Sequence, residues 1–155
     1  MKILPEMELL VNVHGNEPGH HIPYLYNWTN SPWKTQERVR MIMDTMYGNT
    51  VDGLCGNDDA GQMSAWYIFS AMGFYPVCPG SNQYIIGSPC LKKVTIYLEN
   101  GKTFSIQALE LTKENVYIQS IQLNGESYKK TFITHDDLSN GGMLVLHMGP
   151  MPNKK

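Results

Sequence analysis

The amino-acid sequence predicts an α+β protein, with helices in its first half and a small antiparallel β-sandwich in its second. Up to about residue 80 the apolar residues recur at helical spacing, among many aromatic residues, histidines and methionines. After that point short runs of alternating apolar and polar residues take over, separated by turn-forming residues. The 155 residues suffice for one ordinary domain or for two small units that share an interface. We therefore divide the chain into a helical segment, 1–80, and a β segment, 81–155.

The first predicted helix lies in SPWKTQERVRMIMDTMYG, residues 31–48. Ser31 can cap it, Pro32 suits the first helical position, and Gly48 can end it in the left-handed conformation. One face carries apolar residues at i, i+3, i+4, i+7 and i+8, namely Val39, Ile42, Met43, Met46 and Tyr47. That spacing predicts an amphipathic helix with one face in water.

The second predicted helix, residues 60–72, is apolar on nearly all sides and should be buried. Asp59 and Gln62 have the spacing of a capping box, Gly73 can terminate the helix, and Pro76 prevents its continuation. Such a helix needs several neighbouring helices to cover it, whereas the sequence offers one other strong candidate. We therefore expect the chain to oligomerise or to form part of something larger.

The β segment contains six short runs with the alternation of strands, YIIG, KVTIYL, KTFSIQAL, VYIQSIQL, KTFIT and MLVLHM, which start at residues 84, 93, 102, 116, 130 and 143. The pairs Asn100-Gly101 and Asn124-Gly125 lie between or at the ends of such runs, where type I′ turns favour residues that tolerate positive φ. Short strands at this spacing are typical of an antiparallel sandwich.

Composition excludes several classes of function. Twelve basic and fourteen acidic residues give a net charge of −2 without a basic cluster, so neither nucleic acid nor an anionic membrane is an expected partner. No run approaches the roughly 18 apolar residues of a membrane span, and the opening MKILPEMELLVNV lacks the apolar core of a signal peptide. Three cysteines without CxxC spacing indicate no compartment.

Chemistry-bearing residues concentrate in HGNEPGHHIPYLYNW, residues 14–28, which is too punctuated for a long regular helix before Pro23. Loops this rich in polar and aromatic groups tend to be functional when a scaffold holds them. The adjacent His20 and His21 point in different directions on any regular element, and no HExxH or CxxC partner supports zinc. No GxSxG motif supports a serine nucleophile.

A second such stretch is GNDDAGQMSAW, residues 56–66, in which Asp58 and Asp59 immediately precede the buried helix. Helix capping alone would explain an aspartate there. Together with Asn16 and Glu17, however, these carboxylates form an oxygen-rich set near aromatic side chains, a combination that sugar-processing sites use. We expect Trp66 to belong to the core, whereas Trp28 and Trp33 suit either the core or a sugar platform.

These residues also match a known family. HGNEPGHHIPYLYN, PWKTQERVR, GLCGNDDAGQMSAWYIFSAMGFYPVCPG and YIIGSPCLKKVTI occur in its order, and residues 14–155 resemble the C-terminal part of glycoside hydrolase family 92, the calcium-dependent exo-acting α-mannosidases. The resemblance implies the last helices of an (α/α)6 barrel followed by a C-terminal β segment. It would also explain the missing neighbours of the second helix.

The resemblance further implies an inverting hydrolysis of terminal α-linked mannose, α-1,2-linked, from mannans or N-glycans, in the periplasm or outside the cell. Asp59, with Asp58 as its close competitor, would be the base that activates water. Glu17 and the Asn16 carbonyl would bind calcium. His20 and His21 would line the sugar site, to which we add Trp28 and Trp33 as candidate sugar-binding residues.

The sequence also departs from the family pattern. The family's general acid lies well upstream of Asn16, and neither Glu6 nor Glu8 matches its context. We expect the family's N-terminal sandwich domain to lie outside these 155 residues. We therefore expect the isolated chain to be catalytically incomplete, with the missing N-terminal part of the enzyme as its partner. Two alternatives remain open: a non-catalytic carbohydrate-binding or interaction module, and a helical-barrel disaccharide phosphorylase, for which we find no basic phosphate-binding cluster.

Overall fold

The computed structural model describes residues 14–154, and within them the longer helices precede the strands, which confirms the predicted α+β class. The opening segment 1–13 lies outside the described residues, and with it Glu6, Glu8 and the predicted lack of a signal peptide. The helical elements are two 3₁₀ helices, Glu17–Gly19 and Ile22–Trp28, followed by α1 (Pro32–Met46), α2 (Gln62–Met72) and the short α3 (His135–Ser139).

Helix α1 starts at the predicted residue and buries its predicted apolar face. The interactions at its two ends, however, differ from the prediction. Pro32 occupies the first turn, whereas the Ser31 side chain makes no capping hydrogen bond. At the other end Tyr47 is extended and forms an isolated β-bridge with Leu54. The chain therefore leaves α1 straight into a bridge, and the prediction of a left-handed Gly48 is wrong. Ser31 occupies the N-cap position as predicted, but without a side-chain bond.

Helix α2 begins two residues later than predicted and ends at Gly73, whose φ of 109° confirms the left-handed terminator. Met63, Trp66 and Ala71 are buried along one side, whereas Ile68 is 57% exposed. Residues 14–154 thus bury α2 fully along one side and partly on the others, with Ile68 exposed, so the expected burial on nearly all sides is met only in part.

The strands form two sheets. In chain order, β1 to β8 are Phe74–Tyr75, Gln83–Ile86, Lys93–Tyr97, Thr103–Leu109, Tyr117–Leu123, Glu126–Ser127, Phe132–Thr134 and Gly142–Gly149. The smaller sheet has the antiparallel order β1-β2-β7 and the larger has the order β3-β4-β8-β5-β6. In the larger sheet β4 and β8 pair in parallel, with Phe104 opposite Gly142, and the other pairs are antiparallel.

The two predicted asparagine-glycine turns both occur. Asn124 and Gly125 have φ of 53° and 86° and join β5 to β6, with Leu123 opposite Glu126, which confirms the type I′ prediction. The Asn100-Gly101 pair joins β3 to β4 with positive φ at Gly101 only. The second turn is therefore in the predicted place but of another type.

Two apolar clusters make up the core, one around the helices and one between the sheets. The helical cluster surrounds Trp66 and Tyr24, and the sheet cluster surrounds Phe104 and Leu146. Phe69 of α2 packs against both clusters. A polar bond also joins the two halves, since the side-chain oxygen Oε1 of Gln36 on α1 accepts the backbone N–H of Ile118 on β5 at 2.9 Å. Over residues 14–154 we find no helix that is both long and apolar enough to cross a membrane.

Replacing Gln36 with methionine tests this link. Gln36→Met keeps the side-chain length but removes the oxygen, and the buried Ile118 N–H would lose its partner. An unpaired buried donor costs about 1–3 kcal/mol, which is the expected fall in the free energy of unfolding measured in urea. Glu37→Met, at the exposed neighbouring position, is the matched control and should change stability by less than about 0.5 kcal/mol. Equal losses in both variants would contradict the assigned role of the bond.

Candidate active site

The loop that carries Glu17 is shaped by a 3₁₀ turn. Pro18 fits the start of this turn, Gly19 N–H donates to the Asn16 carbonyl at 2.9 Å, and His20 N–H donates to the Glu17 carbonyl at 3.0 Å. Asn16 is exposed and Glu17 is half-buried. Since a carbonyl oxygen has two lone pairs, the Asn16 oxygen keeps one for a further partner.

The loop that carries Asp59 has an unusual backbone. Asp59, Ala60 and Gly61 have φ of 39°, 56° and 90°, so three successive residues lie in the left-handed region. Alanine costs roughly 1–2 kcal/mol in that region because its Cβ approaches the following carbonyl oxygen. Backbone strain of this kind persists only where the surroundings impose it.

Asp58 supplies one such restraint by bonding to the first turn of α2. Its Oδ1 accepts the Ser64 backbone N–H at 2.9 Å and its Oδ2 accepts the Ser64 hydroxyl at 3.0 Å. Hydrogen bonds to charged groups contribute about 1.5–3 kcal/mol, enough to offset the strain at Ala60. The predicted capping box between Asp59 and Gln62 is wrong, since α2 has no side-chain cap at its N-cap residue Gly61 and Asp58 reaches the helix from outside.

The two loops meet backbone to backbone. A Cβ placed on Gly56 would stand 2.5 Å from the Gly15 carbonyl oxygen, so only glycine allows this approach. As a result Glu17 and Asp59, which are 42 positions apart, come within side-chain hydrogen-bonding reach.

The Glu17–Asp59 pair has a clear electrostatic signature. The negative charge of Glu17 is the main cause that raises the pKa of Asp59 above its ordinary value of 3.8, followed by the hydrogen bond between the two carboxyls. The Asp59 carboxyl is fully exposed. Two carboxyls in this arrangement can share a proton or jointly attract a cation.

The donors in this region suit a hard cation better than zinc. Glu17, Asp59 and the Asn16 carbonyl offer oxygen, which calcium prefers, but calcium takes about six to eight such ligands. Within the part of the chain that the structure describes, no cluster of three or more His, Cys, Asp or Glu side chains could hold a metal. These residues therefore fit part of a calcium ligand set.

His20 is buried, unlike the half-buried Glu17 and the exposed Asp59. Its Nε2–H donates to the His14 carbonyl at 3.1 Å, and its Nδ1 accepts from the Gln62 amide at 3.2 Å. The same amide donates to the Tyr75 hydroxyl at 2.9 Å, and Trp66 Nε1–H donates to the His20 carbonyl at 3.0 Å. The ring is buried, and burial lowers its pKa. His20 is thus a neutral part of the protein interior in this structure.

The other predicted sugar-binding residues are more accessible. His21 is exposed, and Trp28 is 59% exposed at the end of the second 3₁₀ helix. Trp33 is half-buried in the first turn of α1, and the Lys154 ammonium lies 5.8 Å from its ring centroid. Their contact with a sugar stays a prediction.

Sequence reasoning missed Ser64, Gln62 and Tyr75 as parts of this site. Gln62 and Tyr75 act through contacts far apart in sequence, which no local pattern reveals. Ser64 did carry a signal, because a serine in the first turn of a helix that follows an aspartate pair can bond to either of them.

Comparisons with known proteins identify the class of this fold and site. A profile of the glycosyl hydrolase family 92 catalytic domain matches residues 6–150. An uncharacterized secreted glycosidase of Arthroderma benhamiae is 36% identical over 138 residues, which cover 87% of this chain and 18% of the relative.

Solved structures give the same result. The family GH92 α-mannosidase BT3965 from Bacteroides thetaiotaomicron superposes with a TM-score of 0.88 at 49% identity, covering 92% of this chain and 19% of that one. The family GH92 inverting mannosidase BT2199 from the same species superposes equally well, at 46% identity over 96% of this chain and 21% of that one.

The chain therefore belongs to glycosyl hydrolase family 92, as its sequence resemblance predicted. It spans less than a quarter of the length of the relatives it matches.

Replacing Glu17 with glutamine tests the coupling of the two carboxyls. Removing the Glu17 charge should lower the pKa of Asp59 toward 3.8, as read from the Asp59 side-chain ¹³C shift against pH. A raised folded pKa means that the folded state binds the proton more tightly, so in the native chain stability falls as pH rises from 3.8 through the Asp59 pKa. Glu17→Gln should flatten that fall, and the exposed-site control Glu37→Gln should not. An unchanged Asp59 titration in Glu17→Gln would disprove the coupling.

Proposed function

We propose that this chain is the part of an exo-α-mannosidase catalytic domain that carries the water-activating base and part of a calcium site. The observation that carries the proposal is the meeting of Glu17 and Asp59 at the solvent edge of the helical segment. It is supported by membership of family 92 and by the mannosidases among its relatives.

Asp59 is the better candidate for the base because its carboxyl is fully exposed. Both oxygens of Asp58 accept hydrogen bonds from Ser64, which leaves Asp58 less free to accept a proton from water. A base must be ionised and within reach of the attacking water. A cation beside the pair would favour the ionised form of Asp59 by opposing the charge of Glu17.

Glu17 and the Asn16 carbonyl would hold calcium in this proposal. Bound calcium would engage hydroxyls of the terminal mannose and favour distortion of its ring toward the transition state. His20 would fix the Glu17 loop from behind through its bond to Gln62. The exposed His21 and Trp28 are the candidates for direct sugar contact, together with Trp33.

Inversion requires a second carboxyl group, which protonates the leaving oxygen from the opposite face of the sugar. We place this general acid in the part of the enzyme that the chain does not span. On that basis the 155-residue chain alone should release little mannose. We also propose α-1,2-linked mannose of mannans or N-glycans as the substrate, and a secreted or periplasmic enzyme, in line with the relative named a secreted glycosidase.

A chimera tests the base. The matched region of BT3965 would be replaced by this chain, which shares 49% of its residues. Asp59→Asn in the chimera should lower kcat for mannose release by about 10²–10⁴-fold, because an amide cannot accept the proton from water. Asp52→Asn, in an exposed loop, is the matched control and should keep full activity. Full activity in Asp59→Asn would exclude Asp59 as the base, and robust mannose release by the isolated chain would refute the missing acid.

Mannose titration tests the calcium site. Calorimetry on the chimera should show mannose binding that requires calcium and that falls at least about tenfold in Glu17→Gln, because one charged oxygen ligand is lost. Glu37→Gln is the matched control. Mannose binding that survives a chelator and Glu17→Gln would instead favour a non-catalytic carbohydrate-binding module.

A further inference from the structure

Ser64 makes contacts that a simple helix cap does not need. A capping carboxylate normally accepts a backbone N–H of the first turn. Asp58 accepts that N–H at 2.9 Å and also the Ser64 hydroxyl at 3.0 Å, one on each carboxylate oxygen. The second bond fixes the rotation of the carboxylate and holds its residue against α2.

The backbone on either side of Asp59 is tied to the same turn. The Asp58 carbonyl accepts Met63 N–H at 3.3 Å, and the Asp59 carbonyl accepts Gln62 N–H at 3.2 Å. Both backbone bonds are long, so they hold the turn weakly. The two bonds that the Asp58 carboxylate accepts from Ser64, one from its backbone N–H and one from its hydroxyl, are shorter and are the stronger restraints on the residue next to Asp59.

We propose that Ser64 is a positioning residue: by holding both oxygens of Asp58, it keeps Asp59 and Ala60 in the left-handed conformation that brings the Asp59 side chain to Glu17. The consequence for catalysis rests on the proposed function, whereas the effect on the backbone does not. Ser64 touches neither substrate nor metal in this scheme, and it acts through Asp58 on the placement of Asp59.

The surroundings of Ser64 allow a conservative test. Ser64 lines an open cavity of about 470 Å³ together with Tyr47, Tyr67 and Ile68. A threonine methyl group can enter this space, so Ser64→Thr should keep the hydroxyl bond. Ser64→Ala removes it while leaving the backbone N–H in place. Ser120→Ala, at an exposed strand position, is the matched control.

The first measurement needs no metal and no activity. In the left-handed region a residue's own amide and α protons are close, so Asp59 and Ala60 should show strong intraresidue NOEs in the ¹⁵N-labelled 155-residue chain. We expect these NOEs to weaken at least twofold in Ser64→Ala, and to persist in Ser64→Thr and Ser120→Ala. If the Ser64→Ala chain does not fold, Ser64→Cys fills the position with a slightly larger thiol, a weaker donor than the hydroxyl, and should show the same loss.

The second measurement uses terbium as a luminescent substitute for calcium in the chimera with BT3965, because this chain supplies only part of the proposed calcium ligand set. Asp59 lies beside the proposed ligand Glu17, and partners that orient metal-binding side chains typically contribute about 10–100-fold to affinity. We therefore expect Ser64→Ala to weaken terbium binding by the chimera about tenfold and Ser64→Thr to restore it. A chimera that binds no terbium, together with the predicted NOE changes in the 155-residue chain, would refute the calcium site and leave the role of Ser64 standing.

The opposite result overturns the inference. A serine that only caps α2 would, on mutation to alanine, lower the unfolding temperature without changing the NOEs of Asp59 and Ala60. Unchanged NOEs in Ser64→Ala and in Ser64→Cys would therefore assign Ser64 to helix capping alone.

Discussion

The burial of Trp66 is the constraint on which the candidate site depends. Its indole N–H donates to the His20 carbonyl at 3.0 Å, which ties the loop of Glu17 to helix α2, and α2 begins at Gln62, shortly after Asp59. Its ring is fully buried and meets the rings of His14, Tyr24, Tyr47 and Tyr75. One side chain thus holds the loop of Glu17 and the loop of Asp59 together. An indole can do this because its ring fills a large volume while its N–H makes a hydrogen bond.

The layer beneath the carboxylates is polar but uncharged. Burial, and then the nearby His20, lower the pKa of His14 to about 3, and burial raises the pKa of Tyr47 above its ordinary range. His14 Nε2 bonds to the Tyr47 hydroxyl at 2.8 Å, and that hydroxyl donates to the Met63 carbonyl at 3.2 Å. An isolated charge would be costly at this depth. The site therefore keeps Glu17 and Asp59 at its wet edge, where a cation or water can reach them.

Local patterns predicted the features that depend on neighbouring residues. Pro32 at the start of α1, Gly73 at the end of α2 and the Asn124-Gly125 turn all follow from backbone preferences that act over a few residues. Patterns cannot reveal contacts between distant segments. The parallel pairing of β4 with β8 is one such contact, and the contact of Glu17 with Asp59 is another.

In the candidate site, too, the sequence indicated individual residues but not their contacts with distant segments. The family motifs named the carboxylates, and the fold shows where each of them is placed. The sequence favoured Asp59 only slightly over Asp58, whereas the bonds to Ser64 show that Asp58 faces the helix and Asp59 faces solvent. The predicted capping box chose the wrong aspartate, because two neighbouring aspartates offer the helix two acceptors and the tertiary structure selects between them.

The strand order of the larger sheet has a consequence for how the chain folds. β8 lies at the centre of the sheet, between β4 and β5, although it is the last of these strands in sequence. During synthesis β4 and β5 would each wait with an unpaired edge until residue 149 had left the ribosome. Exposed strand edges invite pairing with other chains. Pairing β4 with β8 also brings together segments far apart in sequence, which is slow. The larger sheet is thus completed only when β8 inserts between β4 and β5. Before that step a nascent chain is most open to aggregation and to chaperone binding.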